Sequence, residues 1–219
     1  MSRDFPLTAY NDTFDATGSK QWRSKIKQRE YGLAWNAVAY RSKAFTDHCG
    51  SLTRSIRRLG VSPPPEQRYR QEKDLFGLFV TGQSILESLA YAAFTLAASA
   101  QPSQFPMKTE RQRRRIGLDH AANCFARSRF NRDRVARLLR RLSRSRNMCA
   151  WAKTRNTLIY RQQPGRHIFA GNPSPSNTAI WGGRFNVDIP TIQHHRDWMM
   201  LQVTRLTEAI QRFTVAHIR

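Results

Sequence analysis

From Phe79 to Ala98 the chain runs almost continuously apolar for twenty residues, a length that nearly spans a bilayer. Such a helix is apolar all round and must be buried in protein or dissolved in lipid. Gln83, Ser84 and Glu87 interrupt the run, and no aromatic belt flanks it. These features favour the centre of a helical bundle. A helix is predicted over about 66–99, with the rest of the chain packed round it. Ser62-Pro63-Pro64-Pro65 precedes it, and Gln101-Pro102 ends it.

Before this helix, a long one is predicted over about 19–59. Its apolar positions (Trp22, Ile26, Leu33, Val38, Phe45, Leu52, Ile56 and Leu59) follow helical rather than alternating spacing. Gly32 and Gly50 are candidate bends, and Gly60 a stop. Residues 1–18 read as polar and irregular. After the central helix come short helices near 118–128 and 132–145, the second capped by Asn131, and a helix over about 146–162 closed by Pro164-Gly165. The pattern then changes. His167-Ile168-Phe169 and Ala179-Ile180-Trp181 read as two strands of a β-hairpin at about 166–188. Pro190 opens a last helix carrying Trp198, Val203, Leu206, Ala209, Ile210 and Phe213. A chain of 219 residues with 40% hydrophobic content fits one domain over 19–219. The expected fold is mainly α: an antiparallel α-helical bundle with a small β-hairpin inserted before the last helix.

Charge narrows the function. Lys and Arg number 37 against 15 Asp and Glu, a formal +22 with a pI near 11.4. Between 108 and 146 the acids are only Glu110, Asp119 and Asp133. Val135, Leu138, Leu139 and Leu142 mark the buried face of the 132–145 helix, and Arg134, Arg137, Arg141 and Arg144 mark the opposite one. Such a surface attracts polyanions, and arginine suits RNA through bidentate phosphate contacts and stacking. Arg113, Arg114, Arg134, Arg137, Arg141 and Arg144 are the candidate nucleic-acid contacts. A merely solvated face is the competing reading, although such faces normally mix signs. Trp181 and Phe185, beside Gly182-Gly183, are candidates to stack on bases.

Other chemistries find little support. Cys49, Cys124 and Cys149 form no CxxC and read as reduced thiols. His194-His195 has no further ligands at metal spacing, so no metal and no cofactor are expected. Met1 to Thr17 carries Asp4, Asp12 and Asp15 and no apolar core segment, so a cytoplasmic protein is expected, with no membrane partner.

One segment carries a specific pattern. Trp151-Ala152-Lys153-Thr154-Arg155-Asn156-Thr157-Leu158-Ile159-Tyr160-Arg161, followed by Pro164-Gly165-Arg166, resembles the signature of the HEPN superfamily (higher eukaryotes and prokaryotes nucleotide-binding domains). The order of features is similar too: a long first helix, an apolar second helix with Glu87, a late Arg-Asn, a Pro-Gly turn and Asp197-Trp198 in the last helix. The resemblance spans roughly 20–215. It implies a helical bundle, RNA or another polyanion as partner, a homodimer with facing motif helices, and a metal-independent endoribonuclease of toxin or phage-defence type. In that family the motif is Arg, commonly Asn, then His after four to six intervening residues.

Here Tyr160 stands at the first His position, and Arg161 and Gln162 at the others. A tyrosine titrates near about 10 and is a poor general base at neutral pH. The implied catalytic set is therefore Arg155, Asn156 and Tyr160, a degenerate RN-x3-Tyr motif, with Glu87, Arg161 and His167 supporting. His167 follows Arg161 by family spacing, but Pro164-Gly165 keeps the two off one helical face. Two further readings stay open. Glu87 and Arg155 can form an ion pair that only holds two helices in register. The protein can also be a non-catalytic nucleic-acid-binding or regulatory scaffold.

Overall fold

The structure is a computed structural model that describes residues 4–18, 22, 24–160, 166–169, 178–181 and 185–218. Its elements are α1 (Leu7–Gly18), α2 (Lys25–Leu59), α3 (Pro65–Ala100), α4 (Glu110–Arg114), α5 (Leu118–Arg127), α6 (Arg134–Ser143), α7 (Arg146–Tyr160), β1 (Arg166–Phe169), β2 (Thr178–Trp181), β3 (Phe185–Asn186) and α8 (Ile189–His217). The protein is mainly α, with a small antiparallel sheet before the last helix.

α2 and α3 form a long helical hairpin. α2 stops at Gly60, whose positive φ of 70° suits glycine and whose N–H reaches back to the Ile56 carbonyl at 2.8 Å. Pro65 then sits in the first turn of α3, where a missing N–H costs nothing. α2 runs unbroken through Gly32 and Gly50, so neither interrupts it. α3 is the core helix. It is long and apolar enough to cross a membrane by composition, yet 67% of that window is buried within the protein. It packs against α2, α5, α7 and α8. Ser88 and Thr95, buried along it, return their hydroxyls to carbonyls one turn back at 2.8 and 2.9 Å.

Residues 7–18 are helical, contrary to the irregular segment expected. Its buried stripe carries little apolar signal, because two of its three members are threonines: Tyr10, Thr13 and Thr17. Thr13 and Thr17 donate to the Ala9 and Thr13 carbonyls at 2.6 and 2.9 Å, so the hydroxyls are satisfied inside their own helix. Tyr10 stacks on Trp35 with centroids 5.0 Å apart, and each ring donates to the other residue's carbonyl at 3.3 Å. α1 also packs on α8, which joins the two ends of the chain.

The expected hairpin is part of a three-stranded sheet ordered β1-β2-β3. Arg166 pairs with Trp181 and His167 with Ile180, while the added strand pairs Phe185 with Trp181. Arg166 is buried and ties this sheet to the α2–α3 turn. Its Nη1 donates to the Val61 carbonyl at 3.0 Å and to Gln71 Oε1 at 2.6 Å. Asp188 caps α8 by accepting from Thr191 N–H at 2.6 Å, with Pro190 in the first turn. α6 begins after Asp133 rather than Asn131, and Asp133 spends its carboxylate on His217, 3.0 Å away in α8.

Candidate functional site

Trp151 is the largest buried side chain of α7 among the described residues, with Met148 buried one turn before it. Trp151 is fully buried among the rings of Phe45, Phe79 and Trp198, at 6.2, 5.0 and 6.1 Å, and its Nε1 donates to the Phe79 carbonyl at 2.9 Å. It comes so near α3 that a Cβ on Gly82 would lie 2.7 Å from its ring, so only glycine fits there. One turn beyond is Arg155, half-buried, whose Nη1 donates to Asn156 Oδ1 at 3.0 Å. Its Nε is buried with no hydrogen-bond partner. Asn156 is exposed. The side chain of Tyr160, and Arg161 altogether, lie outside the described residues, as do Pro164 and Gly165.

Glu87 does not pair with Arg155. Its Oε2 accepts from the Leu118 N–H at 2.9 Å, and Gln83 Nε2 approaches its Oε1 at 3.5 Å. The reason is local. α5 starts at Gly117, which has no side chain to cap it, so a carboxylate from α3 takes an orphan N–H at the positive end of the helix. The ion-pair reading fails, and among the described residues Arg155 has no acidic partner. Glu87→Ala is expected to cost about 1–2 kcal/mol of stability, as loss of an N-cap does. A urea titration checks this, and an unchanged midpoint would remove Glu87 from that role.

The six arginines expected to contact nucleic acid divide by partner. Arg113 is held against α2, with its Nε 3.6 Å from Glu30 and its Nη1 donating to the Lys108 carbonyl at 3.1 Å. Arg114 pairs with Glu110 one turn away. Arg134 reaches Glu208 of α8 at 3.6 Å. Arg137, Arg141 and Arg144 are exposed and have no ion pair among the described residues. They fall at i, i+4 and i+7, one stripe of a helix surface. The opposite face of α6, Val135, Ala136, Leu138, Leu139 and Leu142, is buried. Arg127, Arg129, Arg132 and Arg146, also exposed, extend this surface and were not among the six. Counting exposed arginines on either side of α6 would have found them.

Other expectations change. Trp181 and Phe185 are 2% and 6% exposed and pack against Phe79, so they are core rings that cannot stack on bases. The alternation of the sheet turns them inward. His167 is exposed on β1. His195 lies among Phe79, Trp151 and Phe185, where burial and then the neighbouring His194 lower its pKa. No metal-holding cluster occurs among the described residues. The three cysteines are free. Burial pushes the Cys49 thiol up to about 12, while Cys149 is exposed.

One pairing had no sequence signal. His48 Nδ1 lies 3.0 Å from Asp74 Oδ1, across the α2–α3 hairpin. Burial alone would raise the Asp74 pKa, but hydrogen bonds from His48 and Ser51, with the His48 and Lys73 charges, lower it. The His48 ring lies against Gly77, where a side chain would displace it.

No protein-family model, curated protein or solved structure matches the chain.

Proposed function

We propose that this is a HEPN-like helical protein that binds RNA through the arginine stripe of α6. The observation that carries this reading is that Arg137, Arg141 and Arg144 stand exposed in one line without an acidic partner among the described residues. An unneutralised row of guanidinium groups matches the spaced charges of a phosphate backbone. Arginine's fork and its ability to stack favour single-stranded RNA. Anisotropy of a labelled single-stranded RNA across a salt series tests the reading. Affinity that falls steeply and linearly on a log–log plot supports it; binding no tighter than that of a generic basic protein rejects it.

A second reading, metal-independent RNA cleavage at α7, is favoured by the freedom of Arg155. Glu87 is committed to α5, so the Arg155 charge is left for a phosphate, with Asn156 holding the guanidinium. In this reading the protein is a cytoplasmic homodimer whose two α7 helices face one RNA. Tyr160 occupies the place of the general base and supplies no proton acceptor at neutral pH. Tyr160→His is then expected to raise cleavage in EDTA by about a hundredfold, the lower end of general acid–base effects. If neither wild type nor Tyr160→His cuts RNA, the enzymatic reading falls. RNA binding insensitive to Arg155→Ala would mark a non-catalytic scaffold.

A further inference from the structure

A cavity of about 530 Å³ opens between the start of α2 and the segment joining α3 to α4. Its size is that of sites that hold small molecules. Two ammonium groups line it, Lys27 from α2 and Lys108 from the joining segment, and no Asp or Glu is among its described lining residues. Lys27 Nζ donates to the Ala98 carbonyl at 2.6 Å, which leaves it further donors. Burial and then the Lys108 charge lower the Lys27 pKa, and neither lysine has an ion pair among the described residues. Gln112 spends its Oε1 on the Thr109 N–H at 3.1 Å, and its amide NH₂ remains to donate. Apart from Ser24 and Ser103, the rest of the described lining is apolar. Ile26 is 53% exposed, an unusual position for so large an aliphatic side chain, and Pro102 and Pro106 beside it are exposed too.

Two cations and an apolar trio lining one cavity match the two halves of a nucleotide. We propose that this cavity holds one nucleotide of the bound RNA, its phosphate between Lys27 and Lys108 and its base against Ile26, Pro102 and Pro106. Ser24 and Ser103 are the hydroxyls among the described lining residues, and Ser24 already accepts from the Lys27 N–H, so the site should discriminate little between bases. The proposal rests on the RNA-binding reading and adds a second site, formed by α2 rather than α6.

The probes are UMP and uridine, titrated into the full-length protein at fixed ionic strength. UMP is expected to bind at least about tenfold more tightly than uridine, the effect of one or two charge-assisted hydrogen bonds. Lys108→Ala removes an exposed side chain and should fold normally; it is expected to weaken UMP about tenfold. Ile26→Ala should weaken UMP and uridine alike. Arg58→Ala, at the other end of α2, controls for loss of one positive charge and should leave UMP affinity unchanged. Equal binding of UMP and uridine, no UMP binding, or a Lys108→Ala variant as tight as wild type would each overturn the proposal. If labelled RNA binds but UMP does not, the cavity is excluded and the α6 reading stands. If UMP binds as expected but RNA does not, the α6 reading fails, the assignment of this nucleotide to a bound RNA fails with it, and the cavity is a site for a free nucleotide.

Discussion

Replacing Arg137, Arg141 and Arg144 together by alanine is expected to weaken single-stranded RNA binding about a hundredfold at about 0.1 M salt. Each phosphate contact to a single strand contributes about 0.7 to the slope of log affinity against log salt, so losing three lowers the slope by about 2. At about 0.1 M that slope difference is itself about two orders of magnitude, and extrapolation to about 1 M should bring variant and wild type together. Stability should hardly move, because exposed side chains without ion pairs contribute little to it. A mere loss of net charge would act differently. Arg113 and Arg134 are engaged by Glu30 and Glu208, and replacing that pair should change the slope by less. Equal slopes for the triple variant and wild type would remove α6 from the interface.

Trp151→Ala is expected to cost about 3–5 kcal/mol, the usual penalty for emptying a large aromatic site. For a chain of this length that lowers the thermal midpoint by about 10 °C. The magnitude follows from the surroundings. The ring touches α2, α3 and α8 at once, and its Nε1 satisfies the Phe79 carbonyl. Alanine leaves a cavity that Gly82, having no side chain, cannot fill. α7 would lose its anchor one turn before Arg155, so RNA cleavage by a Tyr160→His background should fall with stability. A melting curve and an activity assay on the same sample check both. A midpoint shift of only a degree or two would show that α7 is held elsewhere.

Much of the bundle was legible because apolar spacing reports burial directly. The α2–α3 hairpin, α6 and α8 follow from it, as does the meaning of the triproline turn. What failed was burial by polar residues. Thr13 and Thr17 bury hydroxyls that their own helix satisfies, so α1 looked irregular. α4 carried a readable start, since Thr109 and Gln112 form a capping box, but its arginines masked it as a charge run. At the candidate site, the Arg155-Asn156 pair was legible and its partner was not. The sequence offers Glu87 a conspicuous cation in Arg155, whereas the need it meets is a helix end without a cap. The His48–Asp74 pair becomes readable only once the hairpin is known. Then residues equidistant from the turn face each other, as Glu30 does Tyr91.

The contact of α1 with α8 has a kinetic meaning. Most of the bundle folds through neighbours in sequence: α2 closes on α3, and α5 on α6. α1 must wait for α8. Asp4 meets Arg196 and Asp12 meets Gln211 across almost the whole chain. Closing so long a loop is entropically costly, and contacts of this kind form late. During synthesis Tyr10 can already stack on Trp35, which parks α1 on α2 while the remaining helices emerge. That early stacking shortens the search that α8 must complete, and it makes the final step a latch between two ends already held within reach.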